Sequence, residues 1–154
     1  IDHPRKKDLF PVGRLDLDTE GLLFLINDGD LSHRMLSPRH HVPKTYEAQI
    51  AGEVTKEDVQ AFEEGIDIGE KKKTLPAQLE ILEVNAGETP TSQIRLTICE
   101  GKFHQVKRMF EARGKKVVYL KRVKMAGIAL DETLAPGQWR ELTNEEMERL
   151  QRLC

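Results

Sequence analysis

The sequence predicts an α+β domain, a mixed and largely antiparallel β-sheet with helices packed on its faces. Three observations lead there. Runs with apolar residues at every second position outnumber helical ones, as at 93–99, where Ile94, Leu96 and Ile98 share one face. Helix signals, capping residues followed by apolar residues three and four apart, mark only a few segments. Turn residues separate the strand-like runs in hairpin-like succession, with no repeat or linker between them. A chain of 154 residues can bury one core, so a single domain over 1–154 is expected.

The elements follow in order. Residues 1–8, IDHPRKKD, are a polar, basic lead-in, and Leu9-Phe10-Pro11-Val12 carries the chain as strand or turn into GRLDLDTEGLL. The apolar run 22–26, LLFLI, reads as a buried strand closed by Asn27-Asp28-Gly29. Residues 31–36 make a short helical turn ended by Ser37-Pro38, and Arg39, His40 and His41 lie in a loop before Pro43. Residues 44–52 alternate as a strand. Thr55 and Asp58 form a partial capping box for a helix running to about Glu64, with Gly65 as C-cap and Val59 and Phe62 in the core. Lys71-Lys72-Lys73 is a solvated loop. Residues 78–84 read as a strand, 85–88 as a turn and 93–99 as a half-buried strand. Residues 103–113 form a helix stopped by Gly114, with Val106, Met109 and Phe110 as its buried stripe. Strands are expected at 116–123, 128–130 and 137–142. Thr143 caps a last helix whose Met147, Leu150 and Leu153 face inward.

Composition narrows the functional classes. Charged residues make up 32% and hydrophobic ones 38%, the profile of a soluble globular protein. No apolar run approaches bilayer length and no signal-peptide pattern is visible, so no membrane partner is expected. The two cysteines, Cys99 and Cys154, give neither a disulfide framework nor metal-ligand spacing. A reducing, cytoplasmic setting is the simple expectation. The net charge of −2 conceals an asymmetry: from 101 to 124 the chain carries Lys102, Lys107, Arg108, Arg113, Lys115, Lys116, Lys121, Arg122 and Lys124 against the single acid Glu111. Such segregation suits a polyanion.

The acidic stretch admits three readings. Asp18 or Thr19 can cap a local turn. Asp16, Asp18, Glu20 and Gly21 partly copy a calcium loop, but Asn27 stands where that loop needs its bidentate acid. The third reading is a catalytic carboxylate held at the mouth of a strand.

GRLDLDTEGLL, KTY and EGKFHQVKRMF, in this order, resemble the pseudouridine synthases of the branch that acts on ribosomal RNA. The resemblance covers nearly the whole chain. SHRMLSPRHHVPKTY and LAPGQWRELTNEEM are most like members that modify small-subunit (16S) RNA, with the large-subunit (23S) enzymes as close alternatives. It implies the pseudouridine synthase fold, Asp16 as catalytic aspartate, Tyr46 as active-site tyrosine, and Lys107 as the basic partner of Asp16. Many relatives have Arg at this last position, so a fork-shaped cation gives way to a point charge. Arg14, Asp18, Thr19 and Gly21 match loop-shaping positions, with Arg14 also a substrate contact. His104 of HQVK is expected to order the site, and both His104 and Gln105 to contact the RNA substrate.

The implied reaction cuts a uridine's glycosidic bond, turns the base, and rejoins it through carbon. It requires a carboxylate, which attacks the ribose anomeric carbon or the uracil ring, or stabilises charge as a glycal forms. No metal or cofactor is implied; His40 and His41 lack a third ligand. Lys107 would keep Asp16 ionised, and Tyr46 offers a flat face and a hydroxyl. The uridine must be flipped out, with phosphate contacts offsetting the cost. Arg34, Arg39, His40, His41, Arg108, Lys115, Lys116 and Arg122 are the candidate RNA-facing residues. The expected partner is ribosomal RNA, free or in an assembling particle, and the expected state is a monomer. Members of this branch usually carry an S4-type RNA-binding domain and a KPxG-like strand ahead of GRLD, and neither is in this sequence. The chain therefore reads as the catalytic domain of such an enzyme. A non-catalytic RNA-binding or ribosome-assembly module is the main rival. A metal-dependent nuclease using Asp16 and Asp18 is another.

Overall fold

The computed structural model describes residues 3–37, 40–102 and 104–152. Its centre is three long strands, β4 (Lys44–Ala51), β6 (Thr91–Ile98) and β7 (Lys116–Met125). Alternation decides their faces. In β6 every second residue is buried, putting Ser92, Ile94, Leu96 and Ile98 on one side. β5 (Gln78–Asn85) pairs with β6, β6 with β4, and β4 with β7, all antiparallel. β2 (Thr19–Gly21) adds to β7 in parallel, and β8 (Ile128–Ala129) turns back along the end of β7. The order β2-β7-β4-β6-β5 therefore places β4, early in the chain, between two later strands, rather than in simple hairpin succession.

Two helices cover one face of the sheet. α2 (Lys56–Glu64) starts at a complete capping box: Thr55 Oγ1 accepts from Asp58 N, and Asp58 Oδ2 accepts from Thr55 N at 2.9 Å. α3 (Gln105–Ala112) presents Val106, Met109 and Phe110 to the sheet, as its spacing predicts. Phe62 of α2 and Phe110 of α3, both fully buried, meet with ring centroids 4.9 Å apart. With Ile50, Ile94, Leu96 and Leu120 they form the main core.

A second core collects Val12, Phe24, Leu31 and Met35 from α1 (Gly29–Leu36), Met125, Ile128, and Leu150 from α4 (Asn144–Gln151). Asp28 caps α1 by accepting from Leu31 N at 3.1 Å, and Thr143 caps α4 in a second complete capping box.

Five local expectations change. The run 22–26 is not one buried strand: only Leu25–Ile26 (β3) is extended and paired, against Phe10–Pro11 (β1). Phe24 is buried, but Leu23 and Leu25 face outward on an apolar groove. Residues 137–142 form no strand. Arg140 instead pins the segment, reaching Asp131 at 2.9 Å and Glu146 of α4 at 2.8 Å. Its guanidinium helps hold the Glu146 carboxyl down at about 2. Met147 is half-exposed while Leu150 is fully buried, and Leu153 and Cys154 lie outside the described residues. Cys99 sits just past β6, partly exposed rather than in a core strand. Finally, α3 begins at Gln105, because His104 takes the left-handed conformation (φ 47°) where a helix cannot continue.

Candidate active site

The acidic motif leaves the second core at Val12, whose N–H donates to Phe24 O at 2.8 Å. It then makes a tight turn, Thr19 N donating to Asp16 O at 2.9 Å, with Leu17 fully exposed at the apex. The turn throws Asp16 and Asp18 to different sides. Past it, β2 runs along β7 so closely that Gly21 (φ 118°) has no room for a side chain: a Cβ would stand 2.2 Å from Arg122 O. Leu22 and Arg122 are locked by reciprocal bonds, Leu22 N to Arg122 O and Arg122 Nε to Leu22 O, both 2.8 Å.

A cleft of about 260 Å³ opens at the seam of the two cores. Val12, Leu36 and Met125 of one core and Ile98, Val106 and Leu120 of the other line it, together with Arg14, Asp16, Lys44, Tyr46, Lys102, His104, Gln105, Lys107 and Arg122. The volume lies just under the range of about 300–1,000 Å³ usual for small-ligand pockets, so it suits one nucleobase rather than a length of chain. Asp16, Tyr46 and Lys107 therefore share one cleft, as their motifs predict. The larger groove beside Leu23, Leu25 and Trp139, about 760 Å³, carries none of the three.

The pairing within the cleft differs from expectation. The Lys107 ammonium is hydrogen-bonded to Asp18, at the lip, rather than to Asp16. That contact outweighs desolvation and holds the Asp18 carboxyl below the usual carboxylate range. Asp16 instead meets His104, whose Nε2 lies 3.8 Å from Oδ1, a charge pair when the imidazole is protonated. The reason lies in the turn, which points successive acids to different sides, and in the left-handed His104, which swings its ring back over the motif. Tyr46 lies on β4 directly opposite Arg122 of β7. Burial pushes its hydroxyl above the ordinary phenol range despite the nearby guanidinium, so it stays protonated. Lys44, two residues earlier on the same face, is pushed the other way by burial and by the Arg122 charge.

The basic residues fall into groups. Arg14, His104, Gln105, Lys107 and Arg122 line the cleft. Gln105 is buried, its Oε1 accepting from Lys102 N at 3.1 Å, which shapes the turn into α3. Arg122, expected on an RNA-facing surface, is only 3% exposed, because it alternates with Leu120 on the inner side of β7. Lys115 is also withdrawn from that surface, since it and Arg113 hold the buried Asp58 carboxylate at 3.0 and 2.8 Å. Arg108 is engaged by Glu70 at 3.1 Å and by Ile68 O. His40, His41 and Lys116 are exposed, and Arg34 is half-buried on α1 away from the cleft. Arg39 lies outside the described residues. The sequence reading missed Lys44 and Lys102. For Lys44 the signal was present, because alternation puts residues 44 and 46 of KTY on one face. Among the described residues, no group of three or more His, Cys, Asp or Glu is arranged to hold a metal ion.

With this geometry in hand, comparison with known proteins is specific. The family model described as RNA pseudouridylate synthase matches residues 1–112. An uncharacterized RNA pseudouridine synthase of Bacillus subtilis is 53% identical over 141 residues, 92% of this chain and 58% of that protein. The ribosomal small subunit pseudouridine synthase A of Escherichia coli is 47% identical over 148 residues, 96% of this chain and 61% of that protein. The chain thus spans about three-fifths of the length of these curated relatives. A crystal structure of a pseudouridylate synthase superposes with a TM-score of 0.89 at 47% identity, covering 97% of this chain and 63% of that one.

Proposed function

The chain belongs to the RNA pseudouridylate synthase family, and on that premise we propose that it isomerises a uridine of small-subunit (16S) ribosomal RNA to pseudouridine. The single observation that carries the proposal is the meeting of Asp16, Tyr46 and Lys107 in one solvent-open cleft of nucleobase size. Nothing in a plain RNA-binding module requires that convergence. The small-subunit assignment is supported by 46–47% identity to enzymes named for that subunit.

The roles follow from the chemistry of each group. Asp16, partly exposed and facing the cavity, supplies the carboxylate that meets the ribose anomeric carbon as the glycosidic bond breaks. Tyr46 presents its ring to the flipped uracil, and its protonated hydroxyl can donate but not attack. Lys107 tethers the acidic turn through Asp18 and keeps positive charge at the lip, where the phosphates of a flipped nucleotide pass. His104 orients Asp16. Arg14, His40, His41 and Lys116, all exposed, extend the positive surface for the RNA backbone.

The test is conversion of uridine in unmodified small- and large-subunit ribosomal RNA, read by chemical tagging of pseudouridine. Conversion at one site in the small-subunit RNA is expected. Conversion only in large-subunit RNA would redirect the substrate, strand scission would point to a nuclease, and binding without conversion to a non-catalytic module.

A further inference from the structure

Arg122 stands apart from every other cation in the cleft. It is 3% exposed, yet its Nη2 finds no hydrogen-bond partner among the described residues. Its Nε is spent on Leu22 O, so the guanidinium cannot swing away. Gly21 presses on its backbone and Tyr46 sits opposite it on β4. The acidic motif thus fixes Arg122 through β2 with the same segment that presents Asp16. Among the described residues no carboxylate pairs with it: Asp18 is taken by Lys107, and Asp16 faces His104. A guanidinium keeps its positive charge in proteins, and this one is buried beside the cleft with no ion-pair partner among the described residues. Such an arrangement is costly in the folded protein. It is repaid where a ligand or transition state brings negative charge.

We propose that Arg122 is the cation that holds the detached uracil, its Nη2 donating to a ring carbonyl oxygen. The inference rests on the pseudouridine-forming function proposed above. The electron count supports it. When the C1′–N1 bond breaks, its electron pair stays with the base, which becomes an anion delocalised over N1 and the two carbonyl oxygens. The positive charge left at C1′ is met by the Asp16 carboxylate. The base then turns, C5 supplies the pair for the new C1′–C5 bond as the Asp16 carboxylate is released, and the proton lost from C5 is matched by one gained at N1, so the net change is an isomerisation. Between the two bonds the base is anionic, and a fixed buried cation favours that state over the neutral bound uridine. Lys107 is committed to Asp18, and Lys44 is an ammonium that burial pushes toward neutrality, so neither supplies this charge as firmly.

The experiment compares wild type, Arg122→Met and Arg122→Lys in single-turnover reactions on transcribed, unmodified small-subunit RNA. The same reactions are run on RNA made with 5-fluorouridine, whose ring better tolerates negative charge, following loss of the target nucleoside after digestion. Arg122→Met is expected to slow uridine conversion about 10²–10³-fold, the usual effect of removing one preorganised donor, with RNA affinity nearly unchanged. Arg122→Lys should lose less. On 5-fluorouridine RNA the loss should shrink about tenfold, because the leaving group needs less help. Melting curves accompany each variant, and if Arg122→Met fails to fold, the same substrate comparison is read from Arg122→Lys. An equal loss on both RNAs, an unchanged rate, or a defect confined to affinity would overturn the assignment, the last indicating a phosphate contact. Wild type without activity on either ribosomal RNA would remove the proposed function itself, and this inference with it. Active wild type with Arg122 variants impaired only in binding would remove this inference alone.

Discussion

His104 Nε2 lies 3.8 Å from Asp16 Oδ1, on a residue held in the left-handed conformation at φ 47°. A non-glycine residue in that region costs roughly 1–2 kcal/mol. The strain falls at the N-cap of α3, where it turns the imidazole toward the acidic motif. His104→Gly and His104→Ala should therefore separate backbone from ring. Both lose the imidazole and should slow conversion alike. His104→Gly should be the more stable by about 1 kcal/mol, because glycine accepts this φ freely. Denaturant unfolding and single-turnover rates measure the two effects, and equal stabilities would mean that the backbone is not strained there.

The Lys107–Asp18 contact makes a different prediction. Asp18 is mostly exposed, so breaking the pair should leave the melting midpoint essentially unmoved. Activity should fall in Lys107→Ala, and adding Asp18→Asn should lower it little further, because the two act as one tether. Additive losses in the double variant would show that Lys107 acts on substrate independently of Asp18.

Asp58 tests the other end of the molecule. Burial pushes its carboxyl up, but Arg113, the Thr55 N–H and Lys115 outweigh burial and hold it below the usual carboxylate range. A depressed folded-state pKa adds stability above the unfolded value, and that stability is lost as pH falls through the folded value. Acid titration of the wild type should show this loss below about pH 4, and Asp58→Asn should lack it. Asp58→Ala should destabilise by about 3 kcal/mol, since it strands two cations and removes a helix cap.

Gly21→Ala should be among the most damaging substitutions outside the core. Its Cβ would meet Arg122 O at 2.2 Å, and its φ of 118° is unfavourable for any side chain. A loss of about 3 kcal/mol is expected from strain and overlap together. Activity should fall more than stability alone explains, because the change shifts Arg122. A Gly21→Ala protein with wild-type melting and turnover would contradict the close approach of β2 to β7.

Where structure was set by neighbours along the chain, the sequence was a good guide. The Thr55–Asp58 capping box, the alternation of β6 and the Val106–Met109–Phe110 stripe all appear as read. Where partners are distant, local patterns misled. Leu22 to Ile26 has the composition of a core strand, but β2 takes the pairing place on β7, and Leu23 and Leu25 are left on a groove. Arg140 at the centre of 137–142 prefers three carboxylate contacts to a strand. In the site, motif identity found the three groups of the cleft but not their pairing, because one turn residue more or less decides which acid a lysine meets. Arg122 was classed by its charge, although its place two residues from Leu120 already put it on the buried face of β7.

The most direct measurement of the central claim is pseudouridine formation by Asp16→Asn on unmodified small-subunit RNA. The substitution keeps size and shape at a partly exposed position and removes only the negative charge. Conversion should be abolished while RNA retention on a filter stays within about twofold of wild type, since removing one member of a catalytic unit eliminates the chemistry and spares binding. Wild-type conversion by that variant would contradict the assignment of Asp16, and with it the reading of the cleft as an active site.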